Sequence, residues 1–215
     1  MGTHLTVNEI FHSIQGESSH AGRPCVFIRL TFCNLRCVYC DTEYAFHEGD
    51  PMEIPEILSR VRSFGCDLVE VTGGEPLVQK NVHQLLRALC DAGLEVLLET
   101  GGSIGIETVD PRVKRIVDFK CPGSGMEQHN LWSNVEFLTA RDEVKFVVGS
   151  REDFEWAVER VREMKLLTRC SVLISPVFGV LQPAHLAEWL LQERLPVRLQ
   201  LQMHKHIWEP QARGV

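Results

Sequence analysis

Apolar residues along the chain follow two patterns, which predict alternating strands and helices. Residues 24–32, 68–72 and 95–100 form short, mostly apolar runs bounded by turn residues, so they predict strands. Apolar positions in residues 53–64 and 151–167 recur at helical spacing, so these segments predict helices. The same patterns predict further helices at 78–92 and 183–194, and further strands at 113–119, 142–148, 171–175 and 197–202.

This alternation of strands and helices predicts an α/β fold with a parallel sheet. A complete eight-stranded α/β barrel typically needs about 250 residues, and this chain has 215. We therefore expect a partial, open barrel of about six parallel strands with the helices outside. The sequence shows no linker, internal repeat or low-complexity run, so residues 1–215 are predicted to form a single domain.

Polar residues and glycines follow several of the predicted strands. The strand at 24–32 leads into a cysteine-rich loop, the strand at 68–72 into Gly73-Gly74-Glu75-Pro76, and the strand at 95–100 into a pair of glycines. α/β barrels hold their chemistry at the carboxyl ends of the strands. The sequence therefore predicts a functional site at this end of the sheet.

Three cysteines, Cys33, Cys37 and Cys40, stand at the spacing C-x3-C-x2-C. Thiolates are soft ligands that select zinc, copper(I) or iron–sulfur clusters. Structural zinc takes four protein ligands and an ordinary iron–sulfur cluster takes four cysteines, whereas this loop offers three. The spacing therefore indicates a [4Fe–4S] cluster with one iron open to another ligand. A zinc site completed by a distant residue such as His47 is the alternative.

Composition narrows the classes of partner. The net charge is −7 and the sequence has no basic stripe, so we expect a small-molecule ligand and no nucleic acid. Residues 1–9 lack the apolar core of a signal peptide and no run reaches transmembrane length, so we expect no membrane association and a reducing, cytoplasmic setting. In that setting Cys25, Cys66, Cys90 and Cys170 are interpreted as small buried apolar residues.

Two polar features in the first third of the chain have open interpretations. Arg29 lies in the middle of a predicted strand, where a guanidinium needs an anion or a carboxylate, and a structural salt bridge explains it as well as a ligand does. Gln15, Gly16 and Glu17 surround a point where the backbone can approach a ligand, although an ordinary surface loop is the simpler explanation. Lys145, later in the chain, fits an ion pair at the edge of the core equally well and is not included in the predicted site.

The cysteine spacing, with the aromatic Tyr39 before the third cysteine, resembles the signature of the radical S-adenosylmethionine (SAM) superfamily. The run Gly73-Gly74-Glu75-Pro76 resembles the motif that contacts the amino group of SAM in that superfamily. The resemblance implies that Cys33, Cys37 and Cys40 hold the cluster and are catalytic, with SAM at the open iron.

Within that superfamily the chain resembles the 7-carboxy-7-deazaguanine synthase family of queuosine and 7-deazapurine biosynthesis, on residues 9–17, 27–30, 33–42, 72–76 and 202–205. The resemblance implies conversion of 6-carboxy-5,6,7,8-tetrahydropterin to 7-carboxy-7-deazaguanine with loss of ammonia. The cluster would cleave SAM to a 5′-deoxyadenosyl radical that takes a substrate hydrogen, and Mg2+ would assist the ring contraction. A flavodoxin or ferredoxin as electron donor and a homodimer are also implied.

The resemblance assigns site residues by position. Thr42 is the expected Mg2+ ligand. The residues expected to bind substrate are Ile14, Gln15, Gly16, Arg29, Thr72, Glu99 and His204. Those expected to contact SAM are Tyr39, Cys40, Asp41, Gly73, Gly74, Glu75, Asp118, Phe119, Lys120, Ser175, Pro176, Val177 and Phe178.

Two departures from the family pattern affect these expectations. Ser18 stands where many members have glycine, and serine fits poorly if the position needs a positive φ. The chain continues through residues 211–215, whereas some members end at the position of Pro210 with their terminal carboxylate near the substrate. The competing interpretations are a radical SAM activase that makes a glycyl radical on a partner protein, and a zinc-stabilised binding module.

Overall fold

The computed structural model describes residues 4–215. Residues 1–3, which belong to the predicted 1–215 domain and to the predicted N-terminal segment 1–9, lie outside the described residues. The strands are β1 His4–Ile14, β2 Pro24–Leu30, β3 Asp50–Glu53, β4 Leu68–Gly73, β5 Glu95–Thr100, β6 Lys114–Asp118, β7 Glu143–Val148, β8 Ser171–Pro176 and β9 Arg198–Leu199. The helices are α1 Ile54–Ser63, α2 Val82–Asp91, α3 Arg151–Glu163, α4 Pro183–Glu193 and α5 His204–Ile207.

The nine strands form one sheet in the order β3-β1-β2-β4-β5-β6-β7-β8-β9. Every pair from β2 to β9 is parallel, whereas β1 runs antiparallel to both β2 and β3. The parallel part of this sheet confirms the predicted open α/β architecture. In the part of the chain that is described, no helix is both long and apolar enough to cross a membrane.

Helices cover one face of the sheet and bury its larger hydrophobic core. Helix α1 shows why the sequence folds this way: Ile54, Ile57 and Val61 lie on one side of it and are buried. Pro55 occupies its first turn, where the missing N–H breaks no helical hydrogen bond. Each such fully buried aliphatic side chain contributes roughly 1.5–3 kcal/mol. This layer therefore holds the strands in place and leaves the other face free for a site.

The opposite, inner face of the sheet carries a smaller apolar cluster. Its members come from the amino-terminal halves of neighbouring strands, and Phe11 stacks on Phe27 with their ring centroids 5.0 Å apart. The cluster consists of Cys25, Phe27, Leu68, Leu97 and Ile116.

The sequence missed two strands and misjudged the length of others. No strand was predicted before residue 24, yet β1 spans eleven residues. Polar residues interrupt its apolar pattern, and pairing with β2 and β3 is what stabilises it.

The helix predicted at 78–92 begins later than expected. Helix α2 begins at Val82 because Pro76–Val78 forms a 3-10 turn and the side chain of Gln79 is bonded to the backbone of Thr6.

The chain ends in a short edge strand and a short helix. Residues 197–202 were predicted as a strand, but β9 has two residues because it pairs with β8 alone. Of the cysteines interpreted as apolar core residues, Cys25 and Cys170 are buried, whereas Cys66 and Cys90 are half-buried. All eight cysteines of the sequence are free thiols in the structure.

Candidate active site

Polar side chains cross the inner face of the sheet just beyond the small apolar cluster. Arg29, Glu70, Glu99 and Asp118 each stand two residues after a cluster member on the same strand. Because alternate residues of a strand share a face, these side chains belong to the inner face. Strand register aligns them further, placing Arg29 opposite Thr72 and Asp118 opposite Lys145. We call the set Arg29, Glu70, Thr72, Glu99, Asp118 and Lys145 the polar layer.

Lys145 contacts carboxylates from three separate elements. Its Nζ lies 2.7 Å from Glu17 Oε2, 2.5 Å from Glu99 Oε1 and 3.4 Å from Asp118 Oδ2. Although burial alone would lower it, the charges of these carboxylates raise the pKa of Lys145 well above its usual value. Lys145 was not among the site residues expected from the sequence. The signal that could have identified it was a charged residue in the middle of a strand, between the apolar residues Val144 and Phe146.

Glu99 is held by hydrogen bonds to both of its carboxylate oxygens. Thr72 Oγ1 donates to Oε2 at 3.2 Å, and Lys145 donates to Oε1. Burial alone would raise the pKa of Glu99, but the charge of Lys145 outweighs it and lowers that pKa. Two residues predicted to bind substrate, Thr72 and Glu99, are thus brought together with Glu99 ionised.

Gln15 is tied to a carboxyl group that sequence reasoning missed. Its Nε2 donates to Glu70 Oε2 at 2.5 Å, and its Oε1 accepts from the backbone N–H of Glu17 at 3.0 Å. Burial, together with the charges of Glu99 and Glu17, raises the pKa of Glu70 well above its usual value. The side-chain amide of Gln15 is therefore fixed in orientation beside a carboxyl group whose raised pKa favours its protonated form.

Gly16 packs against His204 from the far end of the chain. A Cβ added at Gly16 would lie 2.2 Å from His204 Nδ1, and the Gly16 carbonyl accepts from the Met203 N–H at 3.0 Å. Burial lowers the pKa of His204, which favours the neutral imidazole. The glycine is needed here for close approach. The predicted substrate residues Gly16 and His204 therefore lie side by side.

Arg29 already has a carboxylate partner within the protein. Its Nε donates to Glu9 Oε1 at 2.7 Å, and the hydroxyl of Tyr44 donates to the same oxygen at 2.9 Å. The guanidinium also lies over the rings of Phe11 and Tyr44. The structural salt bridge left open by the sequence is present. It uses one of the five guanidinium donors, so a ligand carboxylate can still bind.

The three cysteines occupy an irregular loop at the carboxyl end of β2. Cys33, Cys37 and Cys40 are all half-buried, and burial raises the pKa of each thiol. The Cys40 N–H donates to the Cys37 carbonyl at 3.2 Å, and the Val38 N–H donates to the Ser124 carbonyl at 3.0 Å. The first bond closes a turn within the loop, and the second attaches the loop to the segment that follows β6. The three half-buried thiols are thereby held in one turn of the chain.

The spacing of these thiols bears on the kind of metal group they could bind. A single zinc ion draws its sulfur ligands to about 2.3 Å from one centre. Within residues 4–215, no three His, Cys, Asp or Glu side chains converge closely enough to share one metal ion. A [4Fe–4S] cluster instead binds each thiolate through a different iron, which allows the sulfurs to stand further apart. Cys33, Cys37 and Cys40 are soft thiol donors in one loop, and this donor set fits a [4Fe–4S] cluster with one iron left open.

Gly73 and Gly74 let β4 approach the cysteine loop closely. A Cβ at Gly73, where φ is +150°, would lie 2.1 Å from the Leu30 carbonyl oxygen. A Cβ at Gly74 would lie 2.4 Å from the Phe32 carbonyl oxygen and 2.7 Å from the Cβ of Cys33. Neither position has room for a side chain. The glycine pair is therefore required for packing beside Cys33.

Glu75 anchors the same turn to the next strand. Its buried carboxylate accepts hydrogen bonds from the Leu77 N–H at 3.0 Å, the Thr100 hydroxyl at 2.9 Å and the Gly101 N–H at 2.7 Å. Burial raises the pKa of Glu75, and the hydrogen bonds, which lower that pKa, only partly offset the effect of burial. The structure thus gives Glu75 a role in positioning the turn. Its predicted contact with SAM remains a prediction.

Two buried polar atoms, one near the end of β6 and one near the end of β8, have no hydrogen-bond partner. Within residues 4–215, Asp118 Oδ1 and Ser175 Oγ are both in this state. A buried polar group without a partner costs about 1–3 kcal/mol, so a ligand that bonds to these atoms would recover that energy. Both were predicted to contact SAM, whose hydroxyl and amino groups would satisfy them. Lys120, also predicted there, has its Nζ 3.1 Å from Asp118 Oδ2.

The remaining predicted SAM residues differ in how their side chains are placed. Phe119 is fully buried among core aromatics, 4.6 Å from the ring of Trp132, so only its backbone lies near the site. Pro176 and Val177 are likewise buried. Phe178 is 40% exposed, and the Tyr39 hydroxyl donates to the Val147 carbonyl at 3.2 Å.

Asp41 and Thr42 connect the cysteine loop with the C-terminal segment. The hydroxyl of Thr42 donates to Asp41 Oδ1 at 2.9 Å, while Oδ2 accepts from Lys205 Nζ at 2.5 Å and Gln202 Nε2 at 3.2 Å. Desolvation alone would raise the pKa of Asp41, but Lys205 and these hydrogen bonds lower it. Gln202 also donates to Glu17 Oε1 at 3.0 Å. One hydrogen-bonded network therefore joins the polar layer to the cysteine loop.

Proteins of known family match this chain along almost its whole length. Residues 27–188 match the model of the radical SAM superfamily. The 7-carboxy-7-deazaguanine synthase of Chlorobaculum tepidum is 52% identical over 214 residues, which cover 98% of this chain and 97% of that protein. The protein of the same name from Koribacter versatilis is 42% identical, with coverage of 98% of this chain and 100% of that protein.

Solved structures share the fold. The crystal structure of QueE from Escherichia coli superposes with a TM-score of 0.75 at 23% identity, covering 94% of this chain and 95% of that chain. SuiB from Streptococcus suis superposes with a TM-score of 0.54 over 80% of this chain and 47% of that chain. The chain therefore belongs to the radical SAM superfamily and, within it, to the family of proteins named 7-carboxy-7-deazaguanine synthase.

Proposed function

We propose that this enzyme converts 6-carboxy-5,6,7,8-tetrahydropterin into 7-carboxy-7-deazaguanine with release of ammonia. The observation that carries the proposal is the network from Thr72 through Glu99, Lys145 and Glu17 to the cysteine loop. It sets several hydrogen-bond acceptors and a fixed amide beside a thiol loop. A pterin ring has several N–H groups and a carboxylate, so it matches this set of partners.

In the proposed enzyme, Cys33, Cys37 and Cys40 hold a [4Fe–4S] cluster. When bound, the cluster and SAM supply a 5′-deoxyadenosyl radical that takes a hydrogen atom from the substrate. The chain's part is to place SAM at the strand ends. Asp118 and Ser175 offer the unpaired buried oxygens, and the residues around the Gly73-Gly74 turn supply the contacts on the other side.

The polar layer would bind and orient the pterin. Glu99 accepts N–H groups of the substrate while Lys145 and Thr72 hold its oxygens in place. Gln15 offers its fixed amide to the ring, and neutral His204 covers the ring beside Gly16. Arg29 uses its remaining donors to bind the substrate carboxylate in a bidentate manner.

Mg2+ is part of the proposal through its expected ligand Thr42. The ion prefers hard oxygen ligands and keeps several waters. Thr42 and the adjacent Asp41 carboxylate offer two such oxygens at the edge of the site. A flavodoxin or ferredoxin would supply the electron, and we propose a cytoplasmic homodimer as the working form.

The test is an anaerobic assay with reconstituted protein, dithionite, SAM, Mg2+ and 6-carboxytetrahydropterin, read by mass spectrometry for 7-carboxy-7-deazaguanine. The Cys33→Ala, Cys37→Ala and Cys40→Ala variants should lose bound iron and all product. The Cys66→Ala variant is the matched control, because this half-buried thiol lies outside the loop and should leave iron and product unchanged.

The outcomes separate the competing functions. Brown protein that forms 5′-deoxyadenosine but no deazaguanine would keep the radical SAM chemistry and exclude this substrate, as a glycyl-radical activase would require. Colourless protein that retains one zinc ion would exclude both. Omission of Mg2+ tests the ion separately, because the rate of product formation should fall while SAM cleavage continues.

A further inference from the structure

Lys145 lies deep in the inner face of the sheet and is not a surface ion pair. It is the third residue of β7, its register partner on β6 is Asp118, and it is 4% exposed. A buried ammonium is costly unless it is paired and hydrogen-bonded. Its burial therefore needs the carboxylates around it, and they in turn need its charge.

The carboxylates around Lys145 outnumber the cations that contact them. Glu17, Glu99 and Asp118 contact Lys145, and Asp118 also contacts Lys120. Three carboxylates therefore share two ammonium groups. A site with this excess of negative charge favours ligand groups that donate hydrogen bonds.

Lys145 also fixes which carboxylate oxygens remain for a ligand. It bonds to Glu17 Oε2, while Gln202 takes Oε1, and it bonds to Glu99 Oε1, while Thr72 takes Oε2. Each carboxylate is held at both oxygens, and each oxygen keeps a further lone pair for another donor. The charge of Lys145 keeps Glu99 ionised in spite of its burial.

We infer that Lys145 is a positioning residue that orients Glu17 and Glu99 as paired carboxylate acceptors for N–H groups of the pterin. The inference rests on the proposed function. Lys145 directly contacts Glu17 and Glu99, the carboxylates that would accept from the substrate. The cysteine loop is connected to Lys145 only indirectly, through Glu17 and Gln202.

The experiment compares Lys145→Met, Lys145→Arg and a matched Lys80→Met variant, which removes an exposed lysine. In each we measure iron content, SAM cleavage without pterin, KM for 6-carboxytetrahydropterin and the ratio of 5′-deoxyadenosine to product. Lys145→Met should raise KM about tenfold or more, as expected for losing charged hydrogen bonds. It should also raise the ratio of 5′-deoxyadenosine to product, because product formation falls more than SAM cleavage without pterin does.

Lys145→Arg, which keeps the charge, should lie between wild type and Lys145→Met, and Lys80→Met should match wild type. Because Lys145→Met leaves buried carboxylates without their cation and so destabilises the fold, Glu99→Gln and the double variant Lys145→Met/Glu99→Gln are measured too. If Lys145 acts through Glu99, the double variant should raise KM by less than the two single effects combined and should resemble Glu99→Gln alone.

A folded Lys145→Met protein with wild-type KM and coupling would overturn the inference. So would an equal fall in product and in pterin-free SAM cleavage, which would indicate a purely structural role, or additive effects in the double variant. Wild-type protein that cleaves SAM but makes no deazaguanine would overturn the proposed function and this inference with it.

Discussion

The side chain of His204 occupies the space where a Cβ of residue 16 would lie, 2.2 Å from Nδ1. The Gly16 carbonyl also accepts a hydrogen bond from the N–H of Met203 at 3.0 Å. The loop after the first strand and the C-terminal segment are therefore fitted to each other at one glycine. This contact brings the loop after β1 and the C-terminal segment to the same side of the site.

Gly16→Ala should displace His204 and weaken substrate binding. The overlap costs about 1–3 kcal/mol of stability, as overpacking usually does. We expect a higher KM for the pterin and a lower melting temperature, measured by steady-state assay and thermal denaturation. Gly149→Ala is the control, because a Cβ there meets its nearest atom at an ordinary 3.6 Å. Equal behaviour of the two variants would contradict the predicted fit.

Arg213 should tune substrate binding through Tyr44. Its guanidinium lies 3.8 Å from the centroid of the Tyr44 ring, and Tyr44 and Arg29 bond to the same oxygen of Glu9. An exposed cation–π contact is worth about 0.5–1 kcal/mol, so Arg213→Ala should raise KM for the pterin roughly two- to fivefold. The melting temperature should fall by no more than about 2–4 °C, because the contact contributes at most about 1 kcal/mol to stability.

The control for Arg213 is Arg198→Ala on the exposed edge strand β9. A chain that ends at Pro210 should show the same effect on KM as Arg213→Ala, because Arg213 is the residue beyond position 210 that contacts Tyr44 and Glu48. If KM is unchanged both in Arg213→Ala and in the chain that ends at Pro210, residues 211–215 do not contribute to substrate binding.

Ser18 occupies a left-handed conformation, with φ at +61°. Its Oγ accepts from the His20 N–H at 3.1 Å, and this bond offsets part of the strain. Ser18→Gly removes the strain and the bond together, so its free energy of unfolding should lie within about 1 kcal/mol of wild type. Ser18→Ala removes only the bond and should be destabilised by about 1–2 kcal/mol in urea denaturation. Because both variants lose the bond, a Ser18→Ala protein as stable as Ser18→Gly would show that the left-handed backbone at residue 18 is not strained.

Asp142 should contribute to stability in a pH-dependent way. It accepts from Arg115 Nε at 3.0 Å and from the Thr139 N–H at 2.8 Å. Burial alone would raise the pKa of Asp142, but these bonds outweigh it and lower the pKa in the folded state. Its contribution is therefore complete above the unfolded pKa of roughly 3.9 and is lost as the pH falls through the lower folded pKa.

Asp142→Asn should cost about 3–5 kcal/mol at pH 7, because it leaves a buried guanidinium without its carboxylate. The difference from wild type should shrink as the pH falls below about 4. Asp91→Asn, at an exposed ion pair with Arg112, should cost no more than about 1 kcal/mol at any pH. Free energies of unfolding measured from pH 2 to pH 7 would check both, and a pH-independent difference would contradict the assignment.

The limits of sequence reasoning can be seen at Arg29 and Lys145. For Arg29 the sequence left a salt bridge and a ligand equally open, and the structure shows the salt bridge to Glu9. For Lys145 the sequence could not choose between an ion pair at the core edge and a place in the site. Its partner Glu17 lies 128 residues away in the sequence, and a local sequence pattern cannot identify a contact between residues so far apart.

The sequence alone determined the features that depend on local spacing: the three cysteines of one loop, the glycine pair after β4, and the alternation of strands and helices that makes the sheet parallel. The tertiary structure alone decided which side chains meet. Strand register placed Asp118 opposite Lys145, and pairing with β2 and β3 formed β1 from a stretch of mixed polar and apolar residues. The physical reason is that propensity and motif spacing act over a few residues, whereas the polar layer depends on register between strands far apart in the chain.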